Sequence, residues 1–235
     1  VNPSKRTLSV VTATRALFLG CIFSLLVTND VTAQDWPQWR GPNRNGVAIG
    51  AKLPQAWPEK APAPLWKTQI GTGYSSPAIQ AGRVFILGRE EEMGREVCYC
   101  LDAYTGEVQW RRAYAENYKP PDITGGLGPK STPTIDRGQV YMLGLGGVLH
   151  AFECQSGRVI WKHNCREEYW GIEKDASGDD AWFPSCGSAA SALLDGDRVI
   201  LPIGGKKAGA FTALDRATGR IVWKSLDERG SYSSP

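Results

Sequence analysis

The chain has 235 residues, 27 basic and 24 acidic side chains and a formal net charge of +3. Lys5, Arg6, Arg15 and Asp30 all lie in the first 33 residues, so the remainder carries a net charge near +1. That gives no electrostatic footprint for nucleic acid or an anionic membrane surface, and the length suits one domain or part of a larger one.

Lys5, Arg6 and Arg15 precede an apolar run from Ala16 to Val27, and Val31-Thr32-Ala33 follows. A basic segment, a short apolar core and a small residue before a cleavage point make residues 1–33 a signal peptide, with the mature protein expected to begin at Gln34. The apolar run is about a dozen residues, short of the roughly 20 a spanning helix needs, so no transmembrane helix is expected. Cys21 lies inside that run, where a lipidated cysteine would follow it, and is read as part of the leader. Residues 34–64 form a lead-in whose Trp36 and Trp39 are expected to cap the repeats that follow rather than bind sugar or lipid.

From residue 65 onward the chain repeats itself. Ile79 to Leu87, Ile135 to Leu143 and Leu194 to Leu201 each read as a strand, a glycine-containing tight turn and a second strand. Each hairpin is followed by a second landmark. Asp102, Thr105, Gly106 and Trp110 recur as Glu153, Ser156, Gly157 and Trp161, and again as Asp215, Thr218, Gly219 and Trp223. The acidic side chain can accept backbone N–H bonds, and the glycine supplies positive φ. The tryptophans recur at spacings of 51 and 62 residues, each read as ending a fourth strand. Four strands per repeat at that period give an all-β fold, a β-propeller of four-stranded blades.

These residues resemble the quinoprotein-type propeller family, whose blades carry an Ala-x-Asp-x-x-Thr-Gly-x-x-x-Trp motif. Ala213, Asp215, Thr218, Gly219 and Trp223 match every fixed position; the first blade has Cys100 for the alanine, and the second has Glu153 and Ser156 as substitutions. The opening Asp35-Trp36-Pro37-Gln38-Trp39-Arg40-Gly41 is similar to the start of secreted proteins of this kind from planctomycete bacteria. The resemblance implies a structural motif in which each tryptophan, Trp223 included, is wedged between adjacent blades.

The blades are expected at about 73–112, 130–163 and 187–224, with the start of a further one at 230–235, where Gly230 to Pro235 repeats the opening Gly73 to Pro77. Propellers usually have about four to eight blades, so the sequence reads as an incomplete, roughly three-blade fragment of a larger ring.

The resemblance also raises catalysis, because relatives include dehydrogenases that bind pyrroloquinoline quinone. Those use a calcium ion, an aspartate base and a disulfide between adjacent cysteines. Here Cys98 and Cys100 are separated by Tyr99, and none of the family's catalytic residues transfers to a position in this chain. The segment from His163 to Gly187 is the best remaining ligand loop, with Glu167, Glu168, Asp175, Asp179 and Asp180 among aromatic residues. It lacks the alternating ligands and distal glutamate of an EF-hand and reads first as a solvated packing loop. Gly144-Leu145-Gly146-Gly147 lies between strands and reads as a hairpin turn, not a dinucleotide loop.

The expectation is an exported, non-enzymatic propeller that binds or scaffolds protein partners, similar to the propeller lipoprotein of the bacterial outer-membrane assembly machine. No cofactor is expected; quinone and calcium belong only to a complete ring. The alternatives are part of a quinone-dependent alcohol or polyvinyl-alcohol dehydrogenase, and a carbohydrate-binding propeller, which would need exposed tryptophans.

Overall fold

The structure is a computed structural model that describes residues 34–50, 55–116, 118, 126–169, 186–204, 209–228 and 230–235. The leader 1–33 and Asp175, Asp179 and Asp180 lie outside the described residues.

Three antiparallel sheets of four strands follow one another along the chain. The first contains β1 (Ala78–Gln80), β2 (Arg83–Glu90), β3 (Arg95–Asp102) and β4 (Val108–Ala115). The second contains β5 (Thr134–Asp136), β6 (Gln139–Leu143), β7 (Val148–Glu153) and β8 (Val159–Asn164). The third contains β9 (Leu193–Asp195), β10 (Arg198–Leu201), β11 (Phe211–Asp215) and β12 (Ile221–Ser225). A short helix α1, Cys165–Tyr169, continues from β8. Strand order in each sheet follows the sequence, so every sheet is an up-and-down blade, and the described blades stand side by side as an open array.

The composition of each strand follows from its place in the blade. The middle strands β3 and β7 are buried on both faces and carry apolar side chains on both: Val97-Cys98-Tyr99-Cys100-Leu101 in β3, and Leu149, Ala151 and Phe152 around the buried His150 in β7. The outer strands β4 and β8 are largely solvated, with Trp110 and Trp161 the buried positions in their patterns. Each tryptophan is the third residue of its strand; the expectation that it ends the strand is corrected here. A one-residue bulge places it there. Cys100 pairs with Trp110 but Leu101 with Val108, and the same slip recurs at Ala151/Phe152 and Ala213/Leu214. The tight turns Ala81-Gly82 and Arg137-Gly138 hold both residues at positive φ, the mirror-image turn that matches strand twist.

The core lies between blades. Phe85, Leu87, Cys98, Cys100 and Trp110 of the first pack with Val140, Met142 and Phe152 of the second. Tyr141, Leu143, Leu149 and Trp161 of the second pack with Val199, Leu201 and Leu214 of the third. Val84, Val97, Tyr99 and Leu101 on the other face of the first blade are covered by Trp66 and Ile70 of the lead-in.

Candidate functional site

Each blade carries one acidic turn, held by hydrogen bonds within itself. Asp102 Oδ1 accepts the N–H groups of Tyr104 and Thr105 at 2.8 and 2.9 Å; Asp215 Oδ1 accepts Thr218 N–H at 2.9 Å and the Thr218 hydroxyl at 2.7 Å. Glu153 takes the Ser156 hydroxyl, so the longer acid and shorter alcohol complete the same turn. These bonds favour the ionised acids: the Thr105 N–H holds Asp102 low, the Ser156 hydroxyl does so for Glu153 and the Thr218 hydroxyl for Asp215. Gly106, Gly157 and Gly219 close the turns at φ of 73°, 65° and 69°.

Each turn is a socket for the tryptophan of the element before it. Trp66, Trp110 and Trp161 donate their indole N–H to the carbonyls of Ala103, Cys154 and Arg216 at 3.0, 2.9 and 2.8 Å. A Cβ on Gly106, Gly157 or Gly219 would sit 2.5, 2.5 or 2.6 Å from the indole it faces, so a glycine is required there by contact as well as by φ. Trp223 differs: it is 40% exposed, against 6% for Trp110 and 8% for Trp161. Among the described residues no following turn stands against Trp223.

A second arrangement forms where the innermost strands converge, β1 beside β5 and β5 beside β9. A strap from Asp35 to Gly46 lies across them. Trp36 exchanges backbone bonds with Ile79 at 2.8 and 2.9 Å, and the Pro37 carbonyl accepts Ile135 N–H at 2.8 Å. Asp35 Oδ1 caps Ala81 N–H at 3.1 Å, and Arg44 reaches the carbonyl of Pro235. Hydroxyls link the entries to the inner strands from blade to blade. Ser75 donates to Ser131 O at 2.7 Å; Ser191 Oγ accepts Thr132 N–H and Ser234 Oγ accepts Ser191 N–H, both at 2.8 Å. Trp36 is half-buried and Trp39 is 42% exposed.

The end carrying the longer connections holds two buried carboxylates that sequence reasoning missed. Glu96 is fully buried, accepts the Tyr114 hydroxyl at 2.5 Å and takes Leu145 N–H at 3.0 and 3.2 Å. Glu116 accepts Tyr118 N–H at 2.8 Å, with Arg89 close by, its Nη1 3.4 Å from the Glu116 carbonyl. Gly144 and Gly146 of the β6–β7 hairpin lie directly against Glu96 and Glu116, with no room for a side chain. The two acids of the first blade therefore grip a glycine loop of the second. Burial pushes the Glu96 carboxyl up to about 7, against the downward pull of Tyr114 and Leu145, and burial raises Glu116 as well. The sequence signal was available: Glu96 stands one step from a buried apolar run.

The proposed ligand loop is described in part. Glu167 is exposed and its N–H is capped by Asn164 Oδ1 at 3.3 Å; Glu168 lies in α1. Cys98 and Cys100 are both buried in the core between blades. Among the described residues no three His, Cys, Asp or Glu side chains group as a metal site, and no helix is long and apolar enough to cross a membrane. Among the described residues, the inner edges of β1 and β5 bond to Trp36 and Pro37 beside serine and threonine hydroxyls.

Against known proteins, the chain is 24% identical over 155 residues to the outer membrane protein assembly factor BamB of Salmonella typhimurium, an alignment covering 66% of this chain and 32% of that protein. The chain thus spans about a third of the length of that curated relative. Among solved structures, BamB of Moraxella catarrhalis matches with TM-score 0.43 and 23% identity over 70% of this chain and 42% of that one. A quinohemoprotein alcohol dehydrogenase of Pseudomonas putida HK5 matches with TM-score 0.45 and 20% identity over 68% and 21%. The sequence profile described as outer membrane protein assembly factor BamB matches residues 55–225, which takes in the strands of all three sheets, and the chain belongs to that family.

Proposed function

We propose that the chain is a β-propeller module that works by binding protein partners in the assembly of the bacterial outer membrane. The observation that carries this is the family match over residues 55–225. The strap supports it: the inner strands bond to Asp35–Gly46, so the blades offer outer faces and loop ends rather than an enclosed reaction chamber. This role requires neither quinone nor calcium. The leader, residues 1–33, would export the chain to the periplasm or beyond, with Gln34 as the mature N-terminus.

The test is removal of the gene from the host bacterium, with folded β-barrel proteins in the outer membrane as the readout and photo-crosslinking from exposed blade positions to capture partners. Reduced barrel content and crosslinks to an assembly component are expected. Unchanged barrel content with no crosslinked protein would overturn the reading.

A further inference from the structure

At the loop end of the blades one residue is held from both sides. Leu145, in the hairpin that joins β6 to β7, is fully buried. Its N–H donates to both oxygens of Glu96 in the first blade, at 3.0 and 3.2 Å. Its carbonyl accepts the N–H of Ser188 at 2.8 Å, on the segment that leads into β9 of the third blade. A Cβ on Gly187 would sit 2.5 Å from Leu145 Cδ1, so that segment lies as close to the side chain as a glycine allows. The hairpin also anchors α1, whose Cys165 N–H reaches the Gly147 carbonyl at 3.0 Å. Residues 144–147 thus tie the first blade to the entry of the third.

The grip on this hairpin is unbalanced in charge. Arg89, Glu96 and Tyr114 are register neighbours across β2, β3 and β4, and Glu96 and Glu116 both press on the hairpin glycines. Arg89 acts electrostatically on both acids, yet among the described residues it bonds to the Glu116 carbonyl oxygen, at 3.4 Å, rather than to either carboxylate. The other titratable groups around Glu96 are uncharged near neutral pH. Burial keeps Cys98 of β3 and Tyr114 of β4 protonated. His150 of β7 stands with its ring 4.4 Å from that of Tyr114, and burial pushes its imidazole down to about 4. Further out, Lys162 of β8 acts on His150 and Arg166 of α1 on Glu116.

The joint therefore suits one carboxylate charge and not two. When Glu96 ionises, a second negative charge stands in a buried contact between blades, and admitting water is the least costly relief. Strands β2, β3 and β4 are fixed to one another by their ladder around Glu96. The hairpin is a turn that meets the first blade through Leu145 and its two glycines, so it is the part that can yield.

We propose that hairpin 144–147 is a proton-controlled latch, seated between Glu96 and Ser188 while Glu96 carries its proton and lifted away when Glu96 ionises, loosening the entry to the third blade with it. The proposal goes beyond the protein-binding reading and does not depend on it. The sign follows from burial, which holds the Glu96 carboxyl up at about 7: seating favours the protonated acid, so the latch is closed in mild acid and opens as pH rises through about 7. Leu145 couples the two sides, because one residue takes Glu96 on its N–H and Ser188 on its carbonyl.

The test is hydrogen exchange by mass spectrometry on the full chain at about pH 6 and about pH 8, each rate divided by that of an unstructured chain at the same pH. Peptides covering 143–148 and 186–190 should lose about tenfold or more of their protection at the higher pH, while peptides from β2 and β10 keep theirs. Glu96→Gln should keep the latch peptides protected at both values. Two further variants should move the midpoint of opening in opposite directions. Glu116→Gln removes a charge that resists ionisation of Glu96 and should open the latch at lower pH. Tyr114→Phe removes a hydrogen bond that favours the ionised acid and should delay opening to higher pH. If Glu96→Gln fails to fold, these two midpoints decide. Equal protection of the wild type at both values, the same loss in Glu96→Gln, or midpoints that neither variant moves overturns the proposal. Protection lost in all three blades together overturns it as well, because that is global unfolding and not release of a latch. The protein-binding reading stands or falls separately, on barrel content and crosslinking.

Discussion

Trp161 and Trp223 occupy the same position in successive blades, follow the same kind of turn and sit after the same bulge, yet one is 8% exposed and the other 40%. The difference lies in the neighbour. Trp161 rests on the Gly219 turn and donates to the Arg216 carbonyl, whereas Trp223 has no such turn among the described residues. The motif is thus half of a two-part lock, and its energetic value belongs to the pair of blades rather than to the residue. In a repeat architecture the interface terms carry much of the stability, so nearly identical sequence can have very unequal weight.

The largest expected effect comes from the closed lock. Trp161→Ala should cost about 3–5 kcal/mol in denaturant unfolding, because it empties a packed site between two blades. Gly219→Ala should cost about 2–3 kcal/mol, since the new Cβ meets the Trp161 indole and the backbone sits at positive φ. If either change were neutral, the socket would not be a source of interblade cohesion.

A mid-sized effect separates the loop end of the blades from the turn end. Glu96 has a folded value of about 7, raised from 4.5, so its contribution to stability is fully present below the unfolded value and lost as pH rises through about 7. The wild type should therefore lose stability relative to Glu96→Gln between about pH 5 and pH 8, by up to a few kcal/mol. Parallel thermal-unfolding curves for the two proteins across that range would show that the carboxylate is not the group that titrates. The smallest effect belongs to the open half: Trp223→Ala should cost less than about 1 kcal/mol.

Much of this architecture was legible in the sequence because its signals are local. Hairpin turns such as Ala81-Gly82 and the Asp–Thr–Gly turns use residues that sit next to one another, so a repeat along the chain reveals them. How deeply a tryptophan such as Trp223 is buried depends on a turn elsewhere, which the tryptophan's own segment does not encode. The strap residues Trp36 and Pro37 bond to strands more than 40 residues further on, and their pairing has no local pattern. The Glu96–Gly144 and Glu116–Gly146 contacts were missed for the same reason: the acids lie in one blade and the glycines in the next.

The interblade lock is tested most directly by a double-mutant cycle on the full chain, combining Gly219→Ala with Trp161→Ala and, separately, with Trp223→Ala. The Gly219–Trp161 pair should couple by about 1–3 kcal/mol, because removing the indole relieves the clash with the new Cβ, while Gly219 and Trp223 should be additive to within about 0.5 kcal/mol. Additivity in the Trp161 cycle, or equal coupling in both, would contradict the account.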